Sequence, residues 1–240
     1  MSRTEKIYNL VKCKLKNDHA AQELFQKIGK QIIKEIVTLE ANAKRGVEAK
    51  DHVIDALWVI SGSGSYLKSL INVKSDQSNK NKLWYHWLDR DRLDYGRDFI
   101  VQAGKLFGRY PRLIYNGRKQ QRTDLLKAIS LGKFDLDSKR ITILDGNITT
   151  TLSQIKLFSL AESHKIKTLA IVSHAPHLAR LLRMIAMHNG PFEGLKIVPL
   201  PLKIKAKKGE DEFTVNEVKG TIDYIMRGEA KIKSYGIENF

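Results

Sequence analysis

A single cysteine, Cys13, among 240 residues excludes an internal disulfide and suits a reducing compartment. No run of about 18 apolar residues occurs, so no membrane-spanning helix is expected. The opening stretch MSRTEKIYNLVKCKLKND alternates charge with apolar side chains and lacks the continuous apolar core of a signal peptide. A cytoplasmic protein is the expectation. Several catalytic signatures are missing too. In Ser61-Gly62-Ser63-Gly64-Ser65 the dinucleotide fingerprint is incomplete, because Leu67 stands where the third glycine would fall, and no Walker lysine follows. Gly62-Ser63-Gly64 lacks the frame of a serine nucleophile elbow, so Ser63 reads as a loop hydroxyl. No Arg-His-Gly closes the first strand, which removes the histidine-phosphatase pattern. Cys13 sits in a basic N-terminal stretch, and cysteine nucleophile chemistry is not expected.

What the chain has in excess is positive charge. Forty-two Lys and Arg against 26 Asp and Glu give a net charge of +16. The lysines are scattered (Lys12, Lys14 and Lys16, then 27–34, Lys80 and Lys82, then 203–208) without interleaved aromatics or zinc-knuckle spacing. Specific nucleic-acid recognition is therefore not expected, whereas loose attraction to polyanions follows from charge alone. Hydrophobic content of 42% with 28% charged residues is ordinary for a globular chain able to bury one good core.

Short apolar runs alternate with longer amphipathic ones. Asp18 can cap a helix carrying Ala21, Leu24, Phe25, Ile28, Ile32, Ile36 and Leu39 at helical spacing, with Gly46 ending or interrupting it. Strands are predicted over residues 56–60, 113–115, 141–144, 168–172 and 195–200, the last ended or placed at an edge by Pro199 and Pro201. Helices are predicted over 84–107, 123–131, 150–164, 176–188 and 215–233, with a polar loop or lid at 72–82. This alternation implies βαβ units and a mostly parallel, doubly wound, Rossmann-like α/β fold. The expected organisation is a helical N-terminal extension at 1–50, the α/β domain at 51–202, and a C-terminal helix within 203–240 packed back on it.

In such a sheet all strands end along one edge, where ligands bind and helix N-termini favour anions. The residues expected there are Gly62, Ser63 and Gly64, Asn116 and Gly117, Asp145 and Asn147, Thr151, and Ser173 and His174 followed by His177 and Arg180. Gly, Asn and Asp are also common turn formers, so the histidines, Arg180 and the Thr149-Thr150-Thr151 run are the less generic members. His177 and Arg180, three apart at a helix start, share a face suited to a phosphate or carboxylate. His177 can also be read as a structural histidine, and the glycine loop as a tight turn. His174 and His177 have metal-ligand spacing, but Asp145 is the only carboxylate at that edge, so no metal is expected.

Four segments together resemble the YdcF/SanA/ElyC-type family, a large bacterial family of unknown function. LWVISGSGS is similar to its strand and glycine loop, LIYNG to its second strand, ILDGNITTTLSQ to its acidic segment and IVSHAPHLAR to its His-and-Arg motif. The resemblance covers residues 55–200. It implies a Rossmann-like fold and matches Asp145 to the family's Glu, Thr151 to its Thr and Gln154 to its Asn. It matches Ser173 and His174 to a Thr-Ser pair, His177 to the His and Arg180 to the Arg. Arg92 or Arg97 matches a further arginine. The chain departs in Asp145 for Glu, Gln154 for Asn and His174 for a small hydroxyl. An acidic residue after the second strand's glycine is also missing, for which Asp124 is a distant substitute. For soluble members the resemblance implies binding of S-adenosylmethionine or a related nucleotide.

Binding of a small anionic or nucleotide-type ligand at this edge is the leading expectation. Phosphoester or pyrophosphate hydrolysis or transfer is a second, with His177 and Arg180 as catalytic groups and Asp145 orienting a histidine. A basic scaffold or nucleic-acid partner is a third.

Overall fold

The chain begins with two capped helices. The Ser2 hydroxyl accepts from the Glu5 N–H at 3.2 Å and the Glu5 carboxylate accepts from the Ser2 N–H at 2.8 Å, which starts α1 (Arg3–Lys14). Asp18 accepts from the Ala21 N–H at 3.0 Å and starts α2 (His19–Ala41), which ends before Gly46. There follow β1 (Ala56–Val59), α3 (Leu88–Phe107), β2 (Arg112–Tyr115), α4 (Lys119–Ser130), β3 (Ile141–Ile143), α5 (Thr151–Ala161), β4 (Thr168–His174), α6 (Ala175–Met187), β5 (Lys196–Leu202) and α7 (Lys207–Met226). The computed structural model describes residues 1–43, 46–64, 66, 88–161, 166–188, 190–204 and 207–234. The polar loop expected at 72–82 lies outside them, as does Leu67. No helix among the described residues is long and apolar enough to cross a membrane.

The five strands form one all-parallel sheet in the order β3-β2-β1-β4-β5. The chain steps outward from β1 to β2 and β3, crosses back to β4, and continues to β5. This is the doubly wound, Rossmann-like α/β arrangement, and its order reverses between β1 and β4.

Side chains alternate across each strand, and the alternation sorts two apolar layers. Trp58 of β1 with Leu169 and Ile171 of β4 faces α5, α6 and α7, where Phe158, Leu182 and Val218 are buried. Trp58 stacks on Phe158 with ring centroids 4.2 Å apart. Leu57 and Val59 face the other way, onto Leu93 and Ile100 of α3 and Leu125 of α4. Residues of α1 and α2, among them Val11, Phe25 and Ile32, belong to the first layer. Arg3 ties that corner together through Glu40 of α2 and Glu210 of α7.

Several boundaries differ from the sequence expectation. β4 continues through Ser173 and His174, which pair with Pro201 and Leu202 of β5. Their polar atoms find side-chain partners, so polarity does not end the strand. β5 runs through both prolines as an edge strand. The Lys196 N–H donates to Lys167 at 2.9 Å, so Lys196, Val198, Leu200 and Leu202 direct their N–H groups to β4. Pro199 and Pro201 have the opposite parity, so the donors they lack would have faced the open edge. α4 starts at Lys119 because the Gln121 side chain accepts the Arg118 N–H at 2.9 Å. α7 starts at Lys207 and ends at Met226, with Gly228 at φ 70° closing it.

Candidate functional site

The end of β4 sits beside β1 where the strand order reverses, and alternation splits its last two residues. Ser173 points towards α6 and His174 towards α3. The Ser173 hydroxyl lies 2.9 Å from Nδ1 of His177, one turn on in α6. The Thr151 hydroxyl, at the first residue of α5, lies 3.1 Å from Nε2 of the same ring. Arg180 donates to that hydroxyl at 3.3 Å. This donation turns the Thr151 hydrogen towards Nε2, which puts the ring proton on Nδ1, donated to Ser173. Burial, with the charges of Arg92 and Arg180 and with His174 beside it, lowers the His177 pKa well below the usual imidazole value. His177 is therefore neutral at pH 7.

On the opposite face, Arg92 of α3 is 1% exposed and acts as a hub. Its guanidinium donates to the carbonyls of Ile60 at 3.0 Å and Ser61 at 2.8 Å, and Nε donates to Nδ1 of His174 at 3.0 Å. Accepting there leaves the His174 proton on Nε2, which lies 4.0 Å from Asp91. Burial lowers the Arg92 pKa to about 10, which keeps it charged. Arg97 instead pairs with Asp94 and Asp98, so of the two arginines only Arg92 bonds to β4.

The glycine loop is bound from three sides. The Gly62 N–H donates to Asp89 at 3.0 Å, Gln121 donates to the carbonyls of Gly62 and Gly64 at 2.6 and 2.8 Å, and the Ser61 N–H donates to Gln154 at 3.2 Å. A Cβ on Gly62 would meet the backbone of Leu88 and Asp89 at 2.9 Å, and Gly64 has φ 88°. Each position requires glycine, one for close approach and the other for backbone conformation. Ser63 is exposed at the tip. Asp89 is fully buried and accepts from Tyr115 at 2.9 Å. Burial raises its pKa to about 7, against the Gly62 N–H, the Tyr115 hydroxyl and Arg92, with Asp124 adding to the rise.

Other candidates stand apart from His177. Asn116 is buried, accepting from the Trp58 ring N–H at 3.0 Å and donating to the Gln154 carbonyl at 2.8 Å. Gly117 is buried, and its carbonyl accepts from Arg122 at 2.8 Å. Asp145 pairs with Arg122 and its side chain is 92% exposed. It makes no hydrogen bond with His177 or His174. Asn147 is exposed. No group of three or more His, Cys, Asp or Glu among the described residues could hold a metal ion. No family model, curated protein or solved structure matches this chain.

Sequence reasoning missed Glu217, Gly220 and Tyr224 on α7, Asp89 at the start of α3 and Gln121 at the start of α4. Glu217 of α7 lies 3.1 Å from Nε of Arg180, the Tyr224 ring centroid lies 5.3 Å from its guanidinium, and a Cβ on Gly220 would come within 2.7 Å of it. Glu217, Gly220 and Tyr224 fall at i, i+3 and i+7, one stripe of the helix. Burial raises the Glu217 pKa against the opposing charges of Arg180 and Arg92. The signal in the sequence was a glycine inside an amphipathic helix, a costly residue there unless something lies against it. Gly220→Ala is expected to leave thermal stability within about 1 kcal/mol, as the helix propensity gain offsets the displaced guanidinium. The same variant should weaken ligands held by Arg180. Paired denaturation and binding measurements would check both, and unchanged affinity would remove Gly220 from the site.

Proposed function

We propose that this protein binds a small anionic, nucleotide-type ligand between the 61–64 loop and the first turn of α6. One observation carries the reading. Arg180, only 16% exposed in its side chain, is fixed between Thr151 of α5 and Glu217 of α7 at the mouth where strand order reverses. A second buried charge, Arg92, stands on the other face of the same sheet edge, bonded to His174 of β4. A guanidinium held in this way offers charge-assisted bonds at little conformational cost. Ser63, exposed at the loop tip, and the backbone of Gly62 and Gly64 supply the opposite wall. The order of the four resembling segments adds support for a YdcF-type protein. S-adenosylmethionine, nucleotides and phosphoesters are accordingly the first probes. A cytoplasmic setting is part of the proposal and rests on the single free cysteine.

The test is a thermal-shift and calorimetric screen of those probes against the wild type and Arg180→Gln. The variant is expected to lose about tenfold or more in affinity for the best anionic ligand, as loss of one charge-assisted bond implies. A ligand bound equally by both proteins would sink the proposal. A hydrolytic reading draws on the neutral imidazole of His177, which can accept a proton at pH 7. Both of its nitrogens are already engaged and the residue is 5% exposed, so the binding reading is favoured. Turnover of phosphomonoesters or pyrophosphates that disappears in His177→Gln would reverse that preference.

A further inference from the structure

We infer that anion binding at Arg180 is proton-linked, with Glu217 of α7 taking up a proton from water as the ligand's charge arrives. This inference rests on the anion site proposed above and adds the residue that regulates it.

The geometry makes Glu217 the group that responds. Its Oε2 lies 3.1 Å from Nε of Arg180, and the two side chains are only 10% and 16% exposed. The two atoms are close but misaligned, and among the described residues neither has a hydrogen-bond partner. The pair is therefore held by charge, without the directed bonds that steady a bidentate carboxylate. Arg180 gives Nη2 to Thr151, and its Nη1 lies over Gly220, where a Cβ would come within 2.7 Å. A ligand anion on this guanidinium sets a second negative charge beside a carboxylate that has little water to replace the shared countercharge. A proton on Glu217 removes that repulsion.

The groups around Glu217 leave it this role. Arg180 faces it from α6 and Arg92 acts on it from α3, yet burial outweighs both and raises its pKa above the usual carboxylate value. The donors of Arg92 go to Ile60, Ser61 and His174 of β4, while His177 is engaged by Ser173 and Thr151. Cations of α1 meet α7 at other positions, Arg3 at Glu210, Lys6 at Asp211 and Lys14 at Asn216, and Glu40 of α2 is bound to Arg3. A bound anion raises the Glu217 pKa further. Between its free and bound values binding takes up a proton, so affinity grows as pH falls.

Sulfate and cyclic AMP each keep one charge state from pH 5.5 to 8, and both are titrated calorimetrically into the full chain across that range. Runs at pH 6.5 in two buffers of different ionisation enthalpy read the proton uptake directly. Wild-type affinity is expected to rise about fivefold or more from pH 8 to pH 5.5, with protons taken up on binding. Glu217→Gln mimics the protonated side chain, so it should bind at least as tightly as the wild type at pH 8 and flatten the profile. Should it melt early, Glu217→Asp should shift the wild-type profile, and an unshifted one would overturn the assignment. Arg180-dependent binding without proton uptake would overturn the linkage and leave the anion site standing. Uptake that persists in Glu217→Gln would overturn it too, assigning the proton to His174 or His177. Binding of neither probe that is lost in Arg180→Gln would remove the anion site itself, and the linkage with it.

Discussion

Replacing Arg92 with methionine is expected to destabilise the protein by about 3–5 kcal/mol, the cost of breaking a buried charged network from one side. The chain length is preserved, so the loss is polar rather than a void. Two carbonyls, of Ile60 and Ser61, and Nδ1 of His174 lose their donor in a region without solvent access. Each stranded acceptor costs about 1–3 kcal/mol. Asp89 and Glu217 also lose a countercharge. Arg92→Lys keeps the charge but cannot reach three acceptors with a planar fork, so it should fall between wild type and methionine. Urea denaturation at neutral pH reads the series. A loss under about 1 kcal/mol for methionine would show that the three acceptors find other partners, and Arg92 would not be the hub described.

Period and turn chemistry made much of the architecture legible. Residues 56–59 are buried on both faces and read as a central parallel strand, which is where β1 lies. Asp18 announced α2 by its capping chemistry. The sequence misled where local polarity was resolved by tertiary partners. Ser173 and His174 looked like a strand terminus, yet His177 and Arg92 satisfy them inside the sheet. Of the candidate residues, Ser173, Thr151, His177 and Arg180 converge because three strand and helix ends meet at one reversal of strand order. Asp145 sits at the end of outer strand β3, with β2 and β1 between it and β4, and Arg122 draws it to the surface. Asp89 and Glu217 could not be singled out from spacing, and the resemblance left Arg92 undistinguished from Arg97. Their meaning depends on which helix covers which face, and charged residues on amphipathic helices ordinarily face water.

Asp89 should make stability depend on pH in an uncommon direction for a carboxylate. Its pKa is raised from 3.8 to about 7 by burial. Between those values the unfolded chain is ionised at this position while the folded one holds the proton, so folding binds a proton. The group's stabilising contribution is complete below about pH 4 and is lost as pH rises through about 7, amounting to about 4 kcal/mol. The groups facing it are the Tyr115 hydroxyl from β2, the Gly62 N–H from the loop, Arg92 one turn along α3, and Asp124 from α4. Asp89→Asn keeps an acceptor for Gly62 and Tyr115 but removes the proton equilibrium. Other carboxylates titrate alike in both proteins, so the difference between them isolates this site. Wild type minus Asp89→Asn stability, from urea curves at pH 4, 5.5 and 8, should fall by several kcal/mol across the series. Parallel profiles would show that Asp89 is ionised throughout, with its charge fully compensated by Arg92 and the loop. The consequence reaches the site, because the proton on Asp89 decides whether Gly62 is held by a neutral or a charge-assisted bond. Near neutrality, then, the glycine loop after β1 is gripped more firmly as pH rises, while the fold as a whole gives up stability.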